Sequence, residues 1–180
     1  MCLLIYLFLI YILLVNSYSF YPTCYNDTLN ENFDAIIIGS SISGLSTAIA
    51  LKKIGINVKI FDKTKKLRPV GAALGIFPNG LSSIEAFSPN AYKNINNNII
   101  NNKININRDL NNNFLNVKEL NLNLTSFLKV QDILLNEVSS DDIFLNHKFI
   151  KYEIDNSTNK VISYFDNNKN YTSDILIGAD

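Results

Sequence analysis

The apolar positions fall into blocks of different period. Leu3 to Val15 is an unbroken apolar run followed by the small-x-small pattern Ser17-Tyr18-Ser19. That length suits a signal-peptide core and is short for a bilayer span. After a polar connector, Phe33 to Ile38 is apolar and β-branched and reads as a buried strand ended by Gly39. From Ile42 to Ile54 the apolar residues Leu45, Ala48, Ile49 and Ile54 fall at helical spacing, with small residues along one side and Gly55 as the stop. Asn57 to Phe61 is a second short strand, so the segment predicts a right-handed β-α-β unit with parallel strands.

Farther along, Arg68 to Gly80 holds Pro69, Gly71, Gly75, Pro78, Asn79 and Gly80 and predicts a loop, with a helix over Leu81 to Phe87. From about Asn94 to Asn123 roughly half the residues are asparagine. Asparagine favours neither helix nor strand, so loop, insertion or weak strand is expected. Helical periodicity returns over Thr125 to Val138, and Ile143 to Ile150, Lys160 to Phe165 and Tyr171 to Ile177 read as strands joined by Asn-Asp turns. The fold class is α/β, a Rossmann-like domain of the two-dinucleotide-binding type. Residues 1–19 form a targeting segment and 33–180 a nucleotide-binding domain with an Asn-rich insertion at about 94–123. An apolar strand running into Gly178-Ala179-Asp180 predicts that the natural domain continues past Asp180.

Composition narrows the chemistry. Sixteen basic and sixteen acidic residues cancel in a chain of 180, removing the electrostatic motive for nucleic acid or an anionic membrane surface. Membrane contact is expected only through the N-terminal run, if that run is not cleaved. Cys2 and Cys24 have no metal-ligand spacing, and His147 is the single histidine, so zinc sites, Cys/His nucleophiles and Ser-His-Asp triads lack parts. His147 is read as structural, on the strand Ile143 to Ile150. Sequons begin at Asn26, Asn123, Asn156 and Asn170, as chance allows in an Asn-rich chain.

The candidate site is the β-α-β turn Gly39-Ser40-Ser41-Ile42-Ser43-Gly44, which has serine where the second glycine of a Gly-x-Gly-x-x-Gly loop would stand. Gly39, Gly44, Ala48, Gly55, Val58 and Asp62 keep the spacing of a longer dinucleotide fingerprint. Gly39 permits a tight turn, Gly44 and Ala48 let helix and sheet approach, and Val58 fills the core. The N–H groups at the helix start, around Ser41, Ile42 and Ser43, suit a pyrophosphate. Asp62 at the second strand's end, beside Lys63, suits a ribose hydroxyl pair. The Cβ of Ser41 is expected to crowd the pyrophosphate, with its hydroxyl available as a donor.

Leu67-Arg68-Pro69-Val70-Gly71-Ala72-Ala73 and Pro78-Asn79-Gly80-Leu81 resemble a flavin-side segment of the FAD-dependent aromatic-ring and carotenoid monooxygenases. Asp174 to Asp180 resembles the start of their Gly-Ala-Asp-Gly motif. The resemblance implies an FAD-binding domain with NAD(P)H as co-substrate and one oxygen atom delivered to a small aromatic or polyene substrate. It places Arg68, Gly71, Ala72 and Asp180 beside the cofactor. Where the family carries an arginine this chain has Val130, so Gln131 or Lys129 is expected to substitute. Ser17 to Pro22 resembles the junction of bipartite plastid-targeting sequences, beside a plain secretory signal or an uncleaved anchor. No catalytic residue is identified, and three readings stay open: such a monooxygenase, another FAD oxidoreductase of oxidase or carotene-cyclase type, and a non-catalytic dinucleotide-binding module.

Overall fold

The computed structural model describes residues 32–66 and 72–179. The first apolar block forms β1, Asn32–Ile38. Its consecutive residues Ala35, Ile36 and Ile37 have no exposed surface, as expected of a strand covered on both faces. Gly39 follows with φ of 107°, a conformation that strains any residue bearing a Cβ. The chain then enters α1, Ile42–Lys53, turns at Gly55, and returns as β2, Val58–Phe61, parallel to β1 with Ala35 opposite Val58 and Ile38 opposite Phe61. The β-α-β unit forms as the sequence predicts.

The remaining elements are β3 (Ala73–Ile76), α2 (Pro78–Phe87), α3 (Pro89–Asn96), β4 (Ile100–Arg108), β5 (Phe114–Ser126) and α4 (Phe127–Leu135), then β6 (Ile143–Phe144), β7 (Phe149–Asp155), β8 (Lys160–Phe165) and β9 (Asn170–Gly178). One six-stranded sheet has the order β6-β2-β1-β9-β8-β7, and β3, β5 and β4 make a second, three-stranded sheet. β6, β2, β1 and β9 run parallel, whereas β8 and β7 are antiparallel additions. The chain leaves β1 toward β2 on one side while β9 lies on the other. At such a switch point the loops diverge and a crevice opens at the strands' C-terminal ends.

Burial follows the alternation of side chains. Ala35, Ile37, Val58 and Ile60 pack with Leu45 and Ala48 of α1, Leu81 of α2, Ile95 of α3 and Val130 and Leu134 of α4. The intervening residues Ile36 and Phe61 join Phe33, Phe165 and Tyr171 in a separate cluster. Phe61 lies 4.8 Å from Phe144, 4.7 Å from Phe165 and 4.6 Å from Tyr171, centroid to centroid. β8 is three strand positions from β2, about 14 Å in a flat sheet. The contact of Phe165 with Phe61 therefore requires the sheet to curl.

Several expectations are corrected. The segment Ile143 to Ile150 is two strands at opposite sheet edges. β6 pairs with β2, Ile60 opposite Ile143, whereas β7 pairs with β8. Between them Asn146 adopts φ of 59°, and the N–H groups of Asn146 and His147 donate to Thr64 O and Asp62 O, each at 2.9 Å. His147 thus sits in the connection instead of a strand. Its structural role stands, because its buried ring lies 2.7 Å from Leu145 O and 3.1 Å from the Tyr171 hydroxyl.

The loop expected over Arg68 to Gly80 contains β3, and α2 begins at Pro78 instead of Leu81. Proline suits the first helical turn because its missing N–H has no intrahelical acceptor there. The Asn-rich stretch holds the end of α3 and the long β4-β5 hairpin, the strand alternative drawn out far beyond a weak element. Its tip is closed by Asp109, whose carboxylate accepts the N–H groups of Asn111 and Asn113 at 2.9 and 2.8 Å. The helix expected over Thr125 to Val138 is shorter, Phe127–Leu135, because Thr125 and Ser126 pair with β3.

Phe61 links both strand neighbours and the curled strands, so Phe61→Ala is expected to cost about 3–5 kcal/mol. Urea unfolding of the purified protein checks this, and a loss under about 1 kcal/mol would contradict the packing described.

Candidate functional site

The site is built where β1 becomes α1. A Cβ placed on Gly44 would stand 2.0 Å from Gly39 O and 3.5 Å from the Ala179 Cβ, so only glycine lets the first turn of α1 close over the end of β1. The first intrahelical bond runs from Leu45 N–H to Ser41 O at 3.0 Å. The N–H groups of Ile42, Ser43 and Gly44 consequently have no acceptor inside the helix. No acidic residue lies in the first turn, and Lys52 and Lys53 lie in the last. This arrangement leaves the positive end of the dipole uncompensated at the switch point.

Ser41 is the N-cap, with φ −71° and ψ 178°. That is ordinary extended backbone, so serine replaces the second glycine without strain. Its hydroxyl donates to Ala179 O at 2.9 Å, and Ser43 Oγ lies 2.9 Å from Ser41 Oγ and 3.2 Å from the same carbonyl. The Ala179 N–H in turn donates to Ile38 O at 2.8 Å. The end of β9 is thereby fixed against the β1-α1 turn, immediately before Asp180.

Asp62 occupies the end of β2. Its Oδ2 accepts the Ser40 N–H at 2.8 Å and the Ser40 hydroxyl at 2.5 Å. Its Oδ1 accepts the Thr64 N–H at 2.8 Å and the Thr64 hydroxyl at 2.7 Å. Burial pushes this carboxyl up, but hydrogen bonds from the Ser40 hydroxyl and the Thr64 N–H, then from the Ser40 N–H and Thr64 hydroxyl, outweigh it and hold the group below its ordinary 3.8. The Asp62 backbone is fixed as well, its N–H donating to Phe144 O and its carbonyl accepting from His147, both at 2.9 Å.

The structure therefore brings together Gly39, Ser41, Ile42, Ser43, Gly44 and Asp62, with Lys63 exposed beside them. Gln131 joins this group, its Nε2 donating to Ser40 O at 3.0 Å. Lys129 is exposed and instead borders an open depression of about 430 Å³ lined by Asn98, Thr125, Ser126, Leu128 and Asp132. Ala72 lies at the head of α4, its carbonyl accepting the Phe127 N–H at 2.9 Å. Arg68, Gly71 and Asp180 lie outside the described residues. Sequence reasoning missed Ser40 and Thr64 as Asp62 partners. Asp-x-Thr is a recognisable local turn, in which a carboxylate accepts from the residue two positions on. Nothing local marks the contact of Ser40 with a residue 22 positions away.

No family model matches the chain. The FAD-dependent urate hydroxylase of Klebsiella pneumoniae is 49% identical over 47 residues, which are 26% of this chain and 12% of that protein. An FAD-dependent monooxygenase of Tolypocladium album is 43% identical over 53 residues, 29% of this chain and 11% of its own length. Over these stretches the chain is similar to FAD-dependent monooxygenases. Among solved structures, Klebsiella pneumoniae HpxO complexed with FAD and uric acid superposes with a TM-score of 0.68 at 23% identity, over 82% of this chain and 39% of that one. 2,6-Dihydroxypyridine-3-hydroxylase from Arthrobacter nicotinovorans gives 0.68 at 17% identity, over 86% and 38%. At these identities the superpositions show the fold alone, and this chain spans well under half of each solved relative.

Gly44→Ala forces a Cβ onto a backbone carbonyl and is expected to destabilise the protein by about 3 kcal/mol or more, read as a lowered urea midpoint. Because the folded pKa of Asp62 lies below its ordinary value of 3.8, its contribution to stability is present above about that pH and lost as pH falls through the folded value. Acid unfolding followed by circular dichroism is expected to show a smaller loss of stability below about pH 4 in Asp62→Asn than in the wild type. Equal losses in the two proteins would contradict the carboxylate's role.

Proposed function

We propose that this chain is the FAD-binding part of a flavin-dependent monooxygenase, one that uses NAD(P)H and O2 to hydroxylate or epoxidise a small aromatic or polyene substrate. One observation carries the reading. A helix N-terminus free of acidic side chains and a carboxylate held ionised meet at the C-terminal ends of neighbouring parallel strands. The first suits the pyrophosphate of a dinucleotide and the second a pair of ribose hydroxyls on the same molecule.

The residues present fit FAD. The Ser41 hydroxyl is turned onto Ala179 O, and Ser43 at the helix start remains exposed, so the serine substitution leaves room for a phosphate. Gly39, Ser41, Ile42, Ser43 and Gly44 would hold the pyrophosphate, with Asp62 and Lys63 toward the adenosine ribose. Gln131, which braces the Ser40 carbonyl, and Ala72 belong to the flavin side together with Arg68, Gly71 and Asp180, on the family resemblance. When bound, the flavin supplies the redox chemistry of oxygen transfer. The chain's own residues bind and orient it. Relatives named for urate and dihydroxypyridine support a planar aromatic or heteroaromatic substrate. NAD(P)H as the reductant rests on the family resemblance, in which the motif begun by Asp174 to Asp180 helps place it.

We also infer that Leu3 to Val15 directs entry to the secretory pathway, with cleavage after Ser19. The resemblance of Ser17 to Pro22 to bipartite signals makes the plastid a further destination. Uncleaved, the same run would be the chain's membrane contact.

Full-length protein mixed with FAD and desalted is expected to retain flavin absorbance that excess NAD does not displace. Asp62→Ala is expected to weaken FAD binding by about tenfold or more, the factor equivalent to about 1.4 kcal/mol. A wild-type protein that is colourless after reconstitution would overturn the reading.

A further inference from the structure

Asp62 has no acceptor position left over. An ionised carboxylate offers about four lone-pair sites, and four donors fill them: two backbone N–H groups and two hydroxyls. The donors are distributed evenly. Each oxygen receives one N–H and one hydroxyl, Ser40 Oγ at 2.5 Å on Oδ2 and Thr64 Oγ1 at 2.7 Å on Oδ1. A vicinal diol meeting a carboxylate side-on would present the same pattern, one hydroxyl to each oxygen.

We propose that Ser40 and Thr64 set the affinity of this site by holding the two carboxylate positions for which a ribose 2'- and 3'-hydroxyl pair must compete. The inference rests on the dinucleotide reading above and adds to it a built-in competitor. The two N–H bonds come from backbone that the fold fixes, with Ser40 beside Gly39 at the end of β1 and Thr64 beside the docked Asn146 turn. Those bonds remain when a nucleotide arrives. Each hydroxyl is held by a side-chain torsion alone and is the group that leaves.

Binding is then an exchange of hydroxyl for hydroxyl, which conserves the number of bonds to Asp62 and lowers the net free energy gained there. A tethered hydroxyl competes better than water because its effective local concentration is high and no separate molecule is immobilised. Ser40 is the stronger competitor of the two, since it is 1% exposed and its displaced hydroxyl does not pass directly into solvent. Thr64 is half-buried and has an easier exit. Ser40 and Thr64 are accordingly positioning residues that act on the ligand through Asp62.

The test measures binding of FAD, ADP and 2',3'-dideoxy-ADP to the full-length protein by calorimetry, for the wild type, Ser40→Ala and Thr64→Val. Each substitution is expected to tighten FAD and ADP binding by about fivefold, the worth of about one net hydrogen bond, and to leave dideoxy-ADP unchanged. Thr64→Val keeps the side-chain shape and provides the answer on Oδ1 if Ser40→Ala disturbs the buried turn. Unchanged or weaker ADP binding in both variants overturns the proposal while leaving the site itself intact. So does an equal gain for dideoxy-ADP. Failure of every form, wild type included, to bind FAD or ADP overturns the underlying reading and the proposal with it.

Discussion

The carbonyl oxygen of Gly39 lies where a side chain on residue 44 would begin, 2.0 Å from the position of a Cβ. That single steric constraint sets the rest of the site. Because residue 44 is glycine, α1 starts within a few residues of the end of β1 and its axis points at the sheet's C-terminal edge. The unpaired N–H groups of its first turn then face the crevice between β1 and β9. Were the turn looser, the same helix would still bury Leu45 and Ala48 on the sheet, but its N-terminus would not stand beside Asp62.

The second constraint is electrostatic. Asp62 is half-buried, and burial alone would favour its neutral form. Four donors reverse that preference, so a charge is retained at the end of β2. The donors come from the two ends of the β-α-β unit, and the backbone of Asp62 is further clasped by Phe144 and His147. The carboxylate thus closes the unit and stands at the end of β2 beside the β1-α1 turn. A group that secures the fold in this way must exchange partners to bind a ligand. That exchange is where the affinity of the site is set.

Much of this was legible in the sequence because it is local. The β1-α1-β2 unit, its glycines and Asp62 follow from spacing within one continuous stretch, and β9 follows from its apolar run. What failed was non-local or propensity-driven. The strand β6 is two residues long and is defined by pairing with β2, so the run Ile143 to Ile150 could not reveal that the chain crosses from one sheet edge to the other. Asn146 in the left-handed region was the local sign of a break, since asparagine tolerates that conformation. The hairpin β4-β5 was obscured by asparagine, whose weak strand propensity hid a period-two pattern in Ile104-Asn105-Ile106 and Leu120-Asn121-Leu122-Asn123-Leu124. Cross-strand pairing overrode propensity there. Ser40 escaped notice for a related reason, because its partner is distant in sequence and only the parallel register of β1 and β2 brings them together.

The central claim is that a dinucleotide's phosphates lie on the first turn of α1 and its ribose on Asp62. Amide hydrogen exchange on the full-length protein, with and without FAD, locates the contact without assuming it. Slowed exchange is expected at Ile42, Ser43 and Gly44 and altered exchange at Ser40 and Thr64, with the β4-β5 hairpin tip around Asn112 unaffected. Protection that appears elsewhere and spares residues 39–44 would contradict it.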